Sequence, residues 1–283
     1  SSAVMANQSY KVKIVTKDAQ EYITNIIAAK TTPAIDSVSW KIDADKNGIQ
    51  FYVSTKDVTN KTVYYKWDCE QVWENRAYLE SFYKYLGGLN MQVRDSADQI
   101  YRCWRSNSIA GIFIGSSAKL NSDIIENEKL YFVAKGSDKF NARYSVLVKQ
   151  SSLTKDAYEY WQQLKQMTEL GGSVFDVQPT QLYGNINCIT NPSLPVIGFI
   201  SASEVTTKRI FIDQSQLISY TVPNLANCDV QSIPGHPDSF NLYFNVRKYV
   251  PIAGDIAGGY LGTTNNCGDC RVFGGTTVKP AFW

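Results

Sequence analysis

The residues from Asn141 to Asn187, NARYSVLVKQSSLTKDAYEYWQQLKQMTELGGSVFDVQPTQLYGNIN, change their periodicity twice, which restricts the fold more than any other stretch. Tyr144, Val146 and Val148 alternate with Ser145, Leu147 and Lys149, the period of two of a half-buried strand. Then Ala157, Tyr160, Trp161, Leu164 and Met167 recur every three or four residues, an apolar stripe on a helix. Thr154 suits the N-cap and Asp156 the first, dipole-favoured turn, while Gly171-Gly172 supplies a stop. The spacing predicts a helix over about Thr154 to Leu170, roughly 25 Å long and able to cross one face of a sheet. Alternation resumes around Leu182 to Ile189. The aromatic stripe reads as core packing rather than as a ligand platform.

Short strands surround this unit. Tyr10, Val12 and Ile14 alternate with lysines, and Glu21-Tyr22-Ile23 follows a turn, so residues 1–32 read as the C-terminal remnant of a preceding β-rich domain. Residues 33–150 read as a β-sandwich: Val38, Trp40 and Ile42 alternate, Asn47-Gly48 turns, and Ile49, Phe51 and Val53 return. Val63, Tyr65, Trp67 and Cys69 share one face of the next strand, and Glu80 to Leu86 reads as a helical turn in a loop. Inward Trp40 and Trp67 on short strands suggest an immunoglobulin- or fibronectin-like arrangement. Residues 151–283 read as the helix plus a second β-rich lobe. There Val196–Ala202 and Lys208–Asp213 form a hairpin, residues 224–238 a loop, and Phe240, Leu242, Phe244 and Val246 a strand. The expected fold class is mainly β with one long helix.

Composition removes several function classes. Lysines and arginines are scattered among acids at a net charge of +2, so nucleic acid has no basic stripe to bind. No apolar run approaches the roughly 20 residues that span a bilayer. Hydrophobic content of 44% supports a real core. The six cysteines, Cys69, Cys103, Cys188, Cys228, Cys267 and Cys270, are spread over separate segments, as in a disulfide framework. Cys267-Gly-Asp-Cys270 has the spacing of a zinc knuckle or a redox motif, but the second pair that zinc needs is missing and a glycine-rich tail is not the strand-to-helix junction of a thioredoxin-type site, so no metal and no cofactor is implied. The glycine-rich tail after Pro251 needs fastening. A bridge from Cys228 to Cys267 or Cys270 closes a loop of about 40 residues and stabilises by roughly 4 kcal/mol. The alternative, a direct Cys267–Cys270 bridge, leaves Cys228 to find Cys103 or Cys188.

Catalytic chemistry is sparse. His236, the sole histidine, sits beside Asp238 and Ser239 in a loop, and triads are assembled from distant segments instead, so it reads as a loop residue without a role. Glu70 and Glu74 flank Trp73 at the end of a strand, a candidate rim for a sugar, with solvated polar positions as the plainer reading.

Five segments in order then resemble a Bacteroidota family described only as a domain of unknown function, DUF4249. They are YYKWDCEQVWE (Tyr64–Glu74), RCW (Arg102–Trp104), the block from Tyr144 to Asn187, VIGFISASEVTTKRIFI (Val196–Ile212) and CGDCRVFGGTTVKPAFW (Cys267–Trp283). The resemblance implies an exported outer-membrane lipoprotein, often encoded beside a TonB-dependent receptor, with a signal, a lipidated cysteine and a β-rich domain ahead of the part seen here. Membrane attachment is then expected only through that N-terminal lipid anchor, itself expected to lie outside this chain. Asp36-Ser37-Val38 and Asp95-Ser96-Ala97 resemble the O-glycosylation signal of exported proteins in that phylum. The expected function is a ligand-binding or docking accessory in nutrient uptake, with the receptor and a glycan or peptide nutrient as partners. The alternatives are a carboxylate-dependent hydrolase and a structural or adhesive sandwich protein. The reading leans away from an enzyme.

Overall fold

The computed structural model describes residues 5–43, 45, 47–169, 182, 184–220 and 228–283. Among these the chain is mainly β, arranged in several sheets. It opens with β1 (Ser9–Tyr10), β2 (Lys13–Val15), β3 (Glu21–Thr24) and β4 (Ile27–Ala28). Next come β5 (Ile35–Asp43), β6 (Gly48–Lys56), β7 (Tyr64–Arg76), the hairpin β8 (Tyr83–Gly87) and β9 (Asn90–Val93), β10 (Arg102–Ser108) and β11 (Phe113–Ser116). Then follow β12 (Ile124–Ala134), β13 (Arg143–Ser152), α1 (Lys155–Glu169), β14 (Ile186–Cys188) and β15 (Val205–Asp213). The chain finishes with β16 (Val230–Ile233), α2 (Pro237–Phe240), β17 (Val250–Gly254), β18 (Tyr260–Thr263) and α3 (Asn265–Gly268).

Two sheets share the main core. One has the order β12-β6-β5; the other runs β10-β7-β13-β15, with β11 also pairing β7, all antiparallel. Alternation along β7 sends Tyr65, Trp67, Cys69 and Trp73 inward, and β13 adds Tyr144, Val146 and Val148. Ile49, Phe51 and Val53 of β6 meet them from the facing sheet. The deepest polar groups of this layer pair with one another, since an orphaned one costs roughly 1–3 kcal/mol; the Trp73 indole N–H is an exception without a partner. The Trp67 indole N–H donates to Gln150 Oε1 at 2.7 Å, and Gln150 Nε2 donates to Pro33 O and Thr55 Oγ1. The five-stranded sheet takes β15 from beyond residue 150, and β14 pairs with β3 of the N-terminal segment.

Helix α1 starts where the period changes: Thr154 Oγ1 accepts from Ala157 N at 3.3 Å. Only its first half packs down. Ala157 and Tyr160 are buried, Trp161 and Leu164 are half-buried, and Met167 is 48% exposed, so the helix does not lay its whole stripe across a sheet. The expected stop at Gly171-Gly172 lies outside the described residues, as does most of the stretch before β14.

Four local expectations are corrected. Glu80 to Leu86 is not a helical turn: β8 forms a hairpin with β9, closed by Gly87 and Gly88, whose φ values of 108° and 62° suit glycine. Residues 196–202 form no strand, and β15 pairs with β13 rather than in a hairpin. Phe240 to Val246 is not a strand either, but α2 running into a π-helix over Asn241–Val246. Phe240 and Phe244 turn inward, four apart on one helical face, while Leu242 and Val246 face out. Spacing of four satisfies strand and helix alike, which explains the misreading. The expected loop before it holds β16, and His236 caps α2 by accepting from Asp238 N at 3.3 Å.

The fastening of the tail is clear. Cys228 bonds Cys267, and Cys103 of β10 bonds Cys270. Cys69 and Cys188 are free, which corrects their place among the disulfide candidates. Cys69 is sealed between the two sheets, where burial pushes its thiol up to about 12. Cys188 is buried beside Gln20 and Thr190.

Candidate functional site

Strand alternation decides what Trp73, Glu70 and Glu74 can do together. Trp73 points into the core, 4% exposed, with the guanidinium of Arg105 at 5.0 Å and the ammonium of Lys139 at 5.4 Å from its ring. Glu70 and Glu74 have the opposite parity on β7 and emerge on the other face of the sheet. Glu70 pairs with Lys149 of the adjacent strand. Glu74 is 1% exposed and held by Arg102 and Arg76. Burial alone would raise its pKa, but these hydrogen bonds outweigh burial and lower it. The three residues therefore do not converge on one ligand. Trp73 does border a small cavity of about 410 Å³ beside Trp104, Arg105 and the backbone of Gly274–Thr276.

A larger cleft of about 550 Å³ opens between α1, the turn joining β3 to β4, and the segment from Gly184 to Ala202. Its construction follows from local chemistry. A Cβ on Gly184 would lie 1.7 Å from Gly198 O, so the two backbones can meet only because residue 184 is glycine. Next to it Asn185 clamps the outgoing chain: its Nδ2 donates to Ile200 O at 2.7 Å and its Oδ1 accepts from Ile200 N at 2.9 Å. The Asn185 carbonyl accepts from Asn25 N at 2.8 Å, which ties in the N-terminal strands. Phe199 is thereby presented to Tyr160, with ring centroids 5.3 Å apart.

The opposite wall belongs to α1. Asp156, Glu159, Tyr160 and Gln163 stand at positions i, i+3, i+4 and i+7, one face of a helix, and all line the cleft. Ser152, at the end of β13, lines it too; it is 1% exposed and its Oγ has no hydrogen-bond partner. Lys155 reaches Glu159 at 3.5 Å, an exposed pair worth little. The arrangement offers stacking surfaces, carboxylates, amides and one free hydroxyl, which is the chemistry of a binding site.

None of these residues was singled out from the sequence as a site. Tyr160 was legible only as part of an apolar stripe. The stripe Asp156, Glu159, Tyr160, Gln163 was the available signal, but its partners Asn25, Asn185 and Phe199 are distant in sequence. Among the described residues, no group of three or more His, Cys, Asp or Glu could hold a metal ion, and no helix is long and apolar enough to cross a membrane. No curated protein and no solved structure matches the chain. A family model does match, over residues 1–209, and on that evidence the chain belongs to the family described as Domain of unknown function (DUF4249).

Proposed function

We propose that this protein is an exported ligand-binding accessory of nutrient uptake at the outer membrane, capturing its ligand in the cleft between α1 and the Gly184–Ala202 segment. The single observation that carries this reading is the cleft itself: paired aromatic rings, convergent amides and an unpartnered buried hydroxyl in about 550 Å³. Two disulfides fit an oxidising compartment. Ser37 and Ser96 of the two Asp-Ser motifs are exposed, as glycosylation would require. The sheets that share the main core are read as an immunoglobulin- or fibronectin-like sandwich acting as scaffold. Anchoring by an N-terminal lipid and docking on a TonB-dependent receptor complete the proposal. Cross-linking and pull-down from intact outer membranes tests it: a TonB-dependent receptor is the expected partner, and its absence overturns the docking role.

A second reading, carboxylate-dependent hydrolysis, draws on Asp156 and Glu159 in the same cleft. Residues three apart on a helix lie about 5–6 Å from each other on one wall. Hydrolytic carboxylates instead flank the bond they cleave. Binding is therefore the better-supported function.

A further inference from the structure

We infer that the cleft selects a positively charged ligand, an arginine-bearing peptide, a deepening that rests on the reading of this cleft as the binding site. Asp156 and Glu159 line it, and among the described residues no lysine, arginine or histidine does. Asp156 has no ion pair among the described residues, so its charge is free to meet a ligand. The second observation is independent of these carboxylates. Ser152 is 1% exposed, at the cleft wall, and its Oγ is buried without a partner. Such an atom costs free energy until a ligand supplies a hydrogen bond, and an N–H donor on a cation would fill the role.

Ring chemistry narrows the class. Tyr160 and Phe199 sit 5.3 Å apart at an interplanar angle of 39°. Their faces favour a planar, weakly hydrated cation over a compact one, and guanidinium stacks on aromatic rings while its N–H groups reach carboxylates in a fork. Arginine also carries an apolar stem that can lie along Ile27 and Ala28 on the cleft wall. A neutral sugar would stack on the rings but leave Asp156 without a counter-charge.

Calorimetry on the full chain with three probes tests this: acetyl-Gly-Arg-Gly-amide, the same peptide with citrulline in place of arginine, and maltotetraose. The arginine peptide should bind at least about tenfold tighter than its citrulline isostere. Asp156→Asn and Glu159→Gln should each weaken it, as should raising salt to roughly 0.5 M, while Glu126→Gln, an exposed acid outside the cleft, should not. Both cleft substitutions are at exposed positions, and unchanged thermal melts establish that the variants fold. Equal binding of both peptides, or binding of maltotetraose alone, with loss in Phe199→Ala, overturns the charge selection and leaves the cleft reading intact. Failure of all three probes to bind overturns both.

Discussion

Arg102 holds Glu74 across the β7–β10 ladder with two hydrogen bonds, Nε to Oε1 at 2.8 Å and Nη2 to Oε2 at 2.9 Å. The carboxylate is 1% exposed while the guanidinium is nearly half exposed, so the acid bears the cost of burial and the arginine keeps its water. Because the folded pKa of Glu74 is depressed, the pair's stabilisation is present above the ordinary glutamate value of 4.5 and is lost as pH falls through the folded value. Glu74→Gln is expected to cost about 2–3 kcal/mol near neutral pH. That gap from the native chain should shrink in acid. Urea unfolding of both chains across the acid range checks it, and a gap that stays constant to low pH refutes the linkage.

A second prediction concerns the polar pin of the core. Gln150 accepts from Trp67 and donates to Pro33 and Thr55, all inside the layer between the sheets. Gln150→Leu has similar volume but orphans the Trp67 indole N–H and removes one of two donors to the Pro33 carbonyl, the other being the Thr206 hydroxyl. A loss of roughly 2–4 kcal/mol is expected in chemical denaturation. A change under about 1 kcal/mol would mean that water reaches these groups.

The disulfides divide the labour of fastening the tail. Cys228–Cys267 spans 39 positions and Cys103–Cys270 spans 167. On chain entropy, losing the first costs about 4 kcal/mol and the second about 5 kcal/mol. Cys103→Ser should therefore lower the melting temperature more than Cys228→Ser. Non-reducing peptide mapping should recover these two linked pairs and leave the Cys69 and Cys188 peptides free.

Uneven burial along α1 sets the fourth expectation. Trp161 is only half-buried and lies under the ammonium of Lys66 at 5.0 Å. Trp161→Ala should cost about 1–2 kcal/mol, below the 3–5 kcal/mol of a fully buried ring. Met167→Ala should change stability by less than about 0.5 kcal/mol, since that side chain is largely in water. Equal losses at both positions in thermal or urea unfolding would require the second half of the helix to be packed.

How far the sequence speaks depends on the range of each interaction. Tyr144, Val146 and Val148 alternate, and all three are buried on β13. Thr154 marks the change of period and caps α1. These features follow from bonds made within a few residues, so the order of side chains is sufficient to specify them. The pairing of Cys228 with the tail was also legible, because loop-closure entropy depends on separation along the chain. The β7 carboxylates failed as a site for a reason already contained in the strand period: Trp73 and Glu74 are neighbours and so must face opposite ways.

The cleft is of the other kind. The polar and aromatic stripe Asp156, Glu159, Tyr160, Gln163 could be read from helical spacing, but not what stands across from it. Phe199 faces Tyr160 only because Gly184 and Gly198 let two backbones touch and Asn185 clamps Ile200. The helix-or-strand ambiguity from Phe240 to Val246 was likewise resolved only when Tyr85 and Tyr260 supplied an aromatic surface for Phe240. The sequence by itself determined the β-rich periodicity and the helix start through local geometry, and chain length favoured Cys228 as a partner for the tail, while the Cys103–Cys270 bond came only with the fold. The tertiary structure alone decided which distant residues share a cleft, because that depends on packing between segments whose separation carries no trace in their order.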